Sequence, residues 1–222
     1  MQSCAPGLKK DRNRLSLDAV DDFRQARRRA ILESLVARLK GAPDDLLSFD
    51  DVRQKLKAQG VTPRGLREIP LAAVVGSVGR YTDFNRHFLP RNRADESRWA
   101  RVRAAMQEGQ ELPPIEVYQI GQVYFVKDGN HRVSVARELR LTHIAALVTE
   151  VYSRVVLTPD LAPDNLIIAS EYADFLEQTH LDELRPEADL RVTAAGQYET
   201  IANHIEIQRY RLTLQQGWIW WW

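Results

Sequence analysis

The stretch VYFVKDGNHRVSVAREL, Val123 to Leu139, reads as strand, tight turn, helix. Val123 to Val126 is β-branched and aromatic and suits a buried strand. Asp128-Gly129 is a turn signal, with Gly129 free to take backbone angles that a Cβ forbids. Asn130 is the expected N-cap of the helix that follows. Val133, Val135, Ala136 and Leu139 give that helix an apolar face, which should end near Arg140. Asp128, Asn130, His131 and Arg132 crowd the turn. A helix start gathers unpaired N–H groups and the positive end of the helix dipole. Such a turn suits phosphate, and Arg132 adds a charged donor. Taken alone, the same pattern also fits a well-capped turn with a polar surface.

Outward from this unit, Ile115 to Gln119 and Val123 to Lys127 flank Ile120-Gly121-Gln122 and predict a β-hairpin. Ile144 to Tyr152 predicts a further strand. Thr62 to Leu71 reads as a linker entering an opening strand at Arg67, with Val74-Val75 after it. Glu96 to Gly109 predicts a helix whose Trp99, Val102 and Met106 should bury it against the sheet. The expected class is α+β, a small mixed β-sheet with packed helices over residues 66–157, flanked by N- and C-terminal helices.

The N-terminal extension, residues 1–65, reads as a loose tail to residue 15 and then an amphipathic helix from Ser16 to Leu39. Leu17, Val20, Phe23, Ala30, Ile31, Leu35 and Leu39 would face inward, with Gly41 as the stop. Arg27-Arg28-Arg29 reads as its solvated face. A capping-box-like Ser48-Phe49-Asp50-Asp51 opens a second helix, Asp51 to Gln59, with Gly60 closing it. The C-terminal extension, residues 158–222, predicts helices from Asn165 to Gln178 and from Gln197 to Leu214, with Pro186 between them. Ile168, Tyr172, Phe175 and Leu176 face inward on the first. Tyr198, Ile201, Ile205 and Leu212 line up on the second. Four of the five Trp fall in Trp218-Ile219-Trp220-Trp221-Trp222. That end reads either as truncated or frameshifted, or as a tail docked on a groove or a dimer partner.

At 222 residues the chain holds one or two domains. A net charge of +1 exerts no global pull towards nucleic acid or membrane. The single cysteine, Cys4, excludes an intrachain disulfide and a Cys-based zinc site. His180 and His204 stand far from any ligand pattern, so no metal centre is expected. The first thirty residues hold no signal-peptide core and no run is long enough to span a bilayer, so a cytoplasmic location is the default. Of the 31 basic residues 25 are Arg, which base composition explains as well as phosphate binding. Between Arg80 and Arg103, seven Arg face Asp83, Asp95 and Glu96. That local excess suits a nucleotide, a nucleic-acid backbone or a solvated helix.

Asp128, Gly129, His131 and Arg132 resemble the signature of the ParB/sulfiredoxin superfamily. Against the G-x-R-R-x-R-A-A-like run of ParB-type partition proteins, Gly129, Arg132 and Ala136 fall on the glycine, the second arginine and the last alanine. Against the G-G-C-H-R of sulfiredoxins, Gly129, His131 and Arg132 match. Against the D-G-H-H-R of free-serine kinases, Asn130 is the one change. Arg67-Glu68-Ile69-Pro70-Leu71 is similar to the family's opening strand, and Leu112 to Val117 (LPPIEV) to the segment before the signature. The resemblance covers about residues 66–152.

What the resemblance implies is a nucleotide- or phosphate-binding domain, in a cytosolic nucleotide-dependent enzyme or switch. A nucleoside triphosphate or diphosphate with Mg²⁺ would be its cofactor. Gly129 would let the backbone approach the phosphates. The amides of Asn130, His131 and Arg132 would receive them. Arg132 would pair with their charge and Arg80 would help hold the nucleotide. His131 would supply a hydrogen bond or proton, Asp128 would orient His131 or hold Mg²⁺ through water, and Glu68 would activate an accepting hydroxyl. Asn130 stands where sulfiredoxin has its nucleophilic cysteine, so sulfinic-acid reduction is not expected. No helix-turn-helix follows Val151, so a partition role is not expected. Three readings stay open: a small-molecule kinase; a ParB-like DNA-binding nuclease with a basic groove through Arg80, Arg91, Arg93 and Arg132; and a non-catalytic interaction module switched by nucleotide. Nucleotide, nucleic acid and a second copy of the chain are the corresponding partners.

Overall fold

The computed structural model describes residues 6–159 and 163–217. The chain begins with α1 (Pro6–Lys40), β1 (Leu47–Ser48), α2 (Phe49–Lys55) and β2 (Gln59–Pro70), then a 3-10 turn at Leu71–Ala73 and β3 (Val74–Ser77). A second 3-10 turn, Arg93–Asp95, leads into α3 (Glu96–Gln107). The hairpin β4 (Ile115–Ile120) and β5 (Val123–Asp128), α4 (Asn130–Glu138) and β6 (His143–Tyr152) follow. The chain then forms α5 (Pro163–Thr179), α6 (Leu181–Leu184) and α7 (Gln197–Gly217). The class is α+β, as the sequence predicts, with a six-stranded mixed sheet in the order β1-β3-β5-β4-β6-β2. β1, β3 and β5 run parallel, β4 is antiparallel to β5, β6 is parallel to β4, and β2 is antiparallel to β6.

β5 is apolar on both faces because both faces are covered. Val123 and Phe125 enter one core layer with Phe49, Val52, Leu157 and Leu176. Val126 enters the opposite layer with Phe84, Phe88, Ile115 and Val133. At Gly76 of β3 an added Cβ would lie 2.6 Å from the Phe125 ring and against the Leu47 carbonyl. That close approach admits β1, a strand of two residues that no local pattern announces.

β2 is longer than the sequence suggests. Gln59 to Leu66, expected as helix end and linker, pairs with the far half of β6 from Gln59↔Tyr152 onward. Only Ile69 of β2 is buried. An edge strand with one wet face needs no apolar alternation, and Pro63 and Gly65 are tolerated where the register shifts. β1 and the start of β2 therefore lie ahead of residue 66.

The helices also depart from expectation in detail. α1 starts at Pro6, so residues 6–15 are helical; residues 1–5 lie outside the described residues. Its buried positions are Ala19, Phe23, Ala26 and Ala30, whereas Leu17, Ile31, Leu35 and Leu39 are exposed. Small alanines let α1 approach α3 closely, so the contact stripe follows them and not the leucines. Arg27 and Arg29 of the expected solvated run reach Arg91 O and Glu138. α2 spans seven residues, with Ser48 accepting from the Asp51 N–H at 3.4 Å. Gly60 belongs to β2.

Trp99 is fully buried, but against Phe23 of α1 and Val135 of α4 and not against the sheet. Its indole N–H donates to Ser134 Oγ at 2.9 Å. Phe175 and Leu176 bury α5 as expected. On α7 the buried residue is Tyr198, stacked on Tyr172 with ring centroids 5.0 Å apart, while Ile201 and Leu212 are exposed. Among the described residues no helix is long and apolar enough to cross a membrane. The tryptophan-rich end, 218–222, lies outside the described residues.

Candidate functional site

Gly129, not Asn130, caps α4. It takes φ +110° and ψ 20°, which swings the chain out of β5 so that Asn130 is already the first helical residue. A Cβ on Gly129 would meet Ile115 Cγ2 at 2.5 Å and Arg132 Nε at 3.1 Å. Position 129 is thus restricted to glycine by backbone angle and by space. The first bond of the helix runs from the Val133 N–H to the Gly129 carbonyl at 3.0 Å. The N–H groups of Asn130, His131 and Arg132 stand outside that ladder, as at any helix start.

These amides border a cleft of about 360 Å³. Its wall combines Lys127 to Arg132 with Gly79 and Arg80 after β3, Arg98 and Val102 of α3, and Leu112-Pro113 before β4. Five residues of the turn, Asp128, Gly129, Asn130, His131 and Arg132, thus meet Arg80, which is distant in sequence. Glu68 does not join them. It lies exposed on β2 opposite Ala145, three strands from β5, or about 14 Å at the usual 4.8 Å strand spacing. Arg91 and Arg93 do not line the cleft either. Arg91 is held by Asp44 at 2.6 Å and by Asp45.

The side chains divide into committed and uncommitted groups. Arg132 is committed. Its Nη1 donates to the carbonyls of Pro113 and, at 2.8 Å, Pro114; its Nη2 donates to Asp128 at 2.6 Å. It fastens the proline segment to the turn. Arg80 lies 3.5 Å from Asp95 and 3.7 Å from Asp83, and Lys127 pairs with Glu116 at 2.9 Å. Arg98 is exposed on the cleft wall and makes no ion pair among the described residues.

His131 is buried, edge-on to Phe84 with ring centroids 5.4 Å apart, and among the described residues neither ring nitrogen has a hydrogen-bond partner. Asn130 Oδ1 is likewise buried and unpartnered. The nearest carboxylate to His131 is Asp95, not Asp128, at 3.4 Å from Nε2 but outside hydrogen-bond alignment. Burial pushes the His131 pKa below the ordinary histidine value. Asp95 and Asp83 oppose that fall, and Arg98 and Arg80 add to it. The ring is therefore neutral at pH 7, with one donor and one acceptor available.

Asp95, Arg98 and Lys127 were not singled out as site residues. Arg98 belongs to the recognised arginine-rich run, and Asp95 sits where the 3-10 turn enters α3. Only the tertiary fold brings that helix start to the turn after β5. Among the described residues no cluster of three or more His, Cys, Asp or Glu is arranged to hold a metal ion.

No family model matches this chain, and neither does any curated protein. A solved structure similar to it in part is the crystal structure of sulfiredoxin from Arabidopsis thaliana, at 18% identity and a TM-score of 0.31, over 39% of this chain and 86% of that one.

Proposed function

We propose that the cleft at the start of α4 binds the phosphate groups of a nucleotide or a similar phosphorylated small molecule, in a ParB/sulfiredoxin-like domain. The observation that carries this reading is the set of three unpartnered buried polar atoms, His131 Nδ1, His131 Nε2 and Asn130 Oδ1, beside the open amides of the helix start. An unpartnered buried polar atom costs about 1–3 kcal/mol. A phosphate oxygen accepts from the His131 N–H and from the amides. A sugar hydroxyl or base N–H donates to Asn130 Oδ1. The positive end of the helix favours the anion, and Arg98 supplies a cation that no described carboxylate neutralises. Arg80, shared with Asp83 and Asp95, supplies a weaker one.

In this reading Arg132 positions and does not bind. It holds the Pro113-Pro114 wall and Asp128 in place, and its charge adds to the field of the cleft. Asp128, a single exposed carboxylate, suits a Mg²⁺ carried in by phosphates, which needs only one or two protein carboxylates. A bound phosphate would also draw the His131 pKa upward, against the effect of burial. Turnover is a separate question, because Glu68 is too far away to activate an acceptor.

The test is a thermal-shift panel of ATP, ADP, CTP, GTP and inorganic triphosphate, each with and without Mg²⁺. A ligand that binds only the folded state raises the melting temperature by mass action. A nucleotide is expected to raise it, and Arg98→Ala and Arg132→Ala each to reduce the rise. Arg98→Ala should leave the ligand-free melting temperature unchanged, which isolates its charge. No shift with any phosphate compound would end this reading.

A further inference from the structure

Arg137 lies further along α4 and faces a different cavity, of about 590 Å³, between α2, β3, the loop around Tyr81 to His87, and α5. No residue lines both this cavity and the cleft at the helix start. Nη2 of Arg137 donates to the carbonyls of Leu71 at 2.8 Å and Val74 at 2.7 Å. The guanidinium sits 4.8 Å from the centroid of the Phe88 ring. Carbonyls and a ring face are partial charges, and among the described residues no carboxylate pairs with this cation. Its Nη1 and Nε have no hydrogen-bond partner there either. Burial alone draws its pKa down to about 10, so it stays charged at neutral pH.

The rest of the wall says what would answer that charge. Val75, Leu166 and Ile167 give one part of it an apolar surface, and Lys55 and Arg86 add exposed cations. Two carboxylates also line it: Asp45, which is already bound to Arg91, and Asp51. A dianionic phosphate would face both acids. A single negative charge on an apolar body matches the one largely buried guanidinium beside the apolar part of the wall, and the volume falls within the ordinary range for small-molecule pockets.

We infer that this cavity is a second ligand site, separate from the phosphate cleft, for a small monocarboxylate with an apolar body. The carboxylate meets the free donors of Arg137, and the body lies along Val75, Leu166 and Ile167.

The experiment is calorimetric titration of the full chain with benzoate and hexanoate, with benzamide and hexanamide as neutral counterparts, and with inorganic phosphate. The carboxylates are expected to bind at least tenfold more tightly than their amides and than phosphate. Ile167→Trp fills the cavity without touching the bonds of Arg137 and should weaken carboxylate binding at least tenfold, as should Arg137→Met. If Arg137→Met fails to fold because the Leu71 and Val74 carbonyls lose their donor, Ile167→Trp still decides. Arg98→Ala should leave carboxylate binding unchanged. Equal binding of benzoate and benzamide, no binding of either carboxylate at 10 mM (a concentration at which even a ~1 mM site is mostly filled), tighter binding of phosphate, indifference to Ile167→Trp, or an equal loss in Arg98→Ala would each overturn the inference.

Discussion

At the start of α4, Arg132 gives its donors to Asp128 and to the carbonyls of Pro113 and Pro114. Near the other end, Arg137 gives Nη2 to the carbonyls of Leu71 and Val74, and no described carboxylate answers it. The first arginine stands in the recognisable turn and is the less available of the two. The second stands outside that turn and keeps donors free. A residue's place in a motif therefore does not say what its charge is used for; the partners supplied by distant segments do. At the cleft beside the start of α4 the same rule leaves Arg98, one helix away, as a cation with no carboxylate partner among the described residues.

The comparison presumes that α4 is held rigidly between its ends, and the hold is Trp99. Trp99→Ala removes the edge contact with Phe23 and leaves Ser134 without its indole donor. A cost of about 3–5 kcal/mol in urea unfolding is expected, with ligand response lost at both ends. A cost below about 1 kcal/mol would mean that α1 and α3 do not brace the helix. Next in size is Gly129→Ala. A left-handed alanine costs about 1–2 kcal/mol, and overpacking against Ile115 adds about 1–3 kcal/mol. The sum should appear as a lower denaturation midpoint, with a similar penalty for Gly129→Asn only if space, not backbone angle, dominates.

A third measurement compares the arginines directly. Arg137→Met takes the side-chain donor from the almost fully buried carbonyls of Val74 and Leu71, the latter keeping only the Val74 N–H, and should cost about 1–3 kcal/mol. Arg132→Met frees the carbonyls of exposed Pro113 and half-buried Pro114 and an exposed Asp128, which water can reach, and should cost less than about 1 kcal/mol. The reverse order in chemical denaturation would show that the start of the helix, not its end, is the buried anchor.

How much of this was legible in the sequence follows from range. The hairpin, α4 and β6 are written in local periodicity, and so is the α+β class. Gly129 announces itself because its backbone angle is a local requirement of the turn; the approach of Ile115 that also excludes a Cβ is tertiary. β1 and the first half of β2 are not legible, because two residues carry no period and a wet edge strand needs none. The burial of Trp99 was legible and its partner was not: helical spacing shows that a face is covered, but not by what. At the site, the turn residues and Arg80 are brought together as expected. Glu68 was placed by order along the chain, and order does not count the strands between. The commitment of Arg132 to proline carbonyls arises only when the segment before β4 packs on the turn, and the nearness of Asp95 and Arg98 to His131 only when α3 docks on α4.

The chemical difference between the helix ends also predicts a pH effect confined to the start. An unfolded histidine titrates near about 6.5. Folded His131 titrates lower, chiefly through burial. As pH falls the unfolded chain takes up the proton first, so stability present above that value is lost between it and the folded pKa, and is flat below. The slope cannot exceed about 1.4 kcal/mol per pH unit. His131→Gln should remove that part of the decline below the unfolded value. An identical decline in the variant would mean that His131 is not the group responsible. If the cleft takes phosphate, binding should tighten over the same range, because the protonated ring prefers the anion.

The smallest expected effect lies at the end of the helix. Glu138 closes α4 and pairs with Arg29 of α1. The arginine is about half exposed at 47%, so water screens the pair and exposed pairs rarely contribute more than about 1 kcal/mol. Glu138 also sits at the negative end of the helix dipole, an unfavourable place for a carboxylate by about 0.3–1 kcal/mol. Glu138→Gln removes a weak attraction and a weak repulsion together, so its net effect should fall within about 0.5 kcal/mol of zero. Arg29→Ala leaves the repulsion unanswered and should cost more than Glu138→Gln does. A double-mutant cycle on the two positions measures the pair alone, and 0.5 M salt should erase most of it. A coupling above about 2 kcal/mol that survives salt would mean that this ion pair, and not Trp99, fixes α1 against α4.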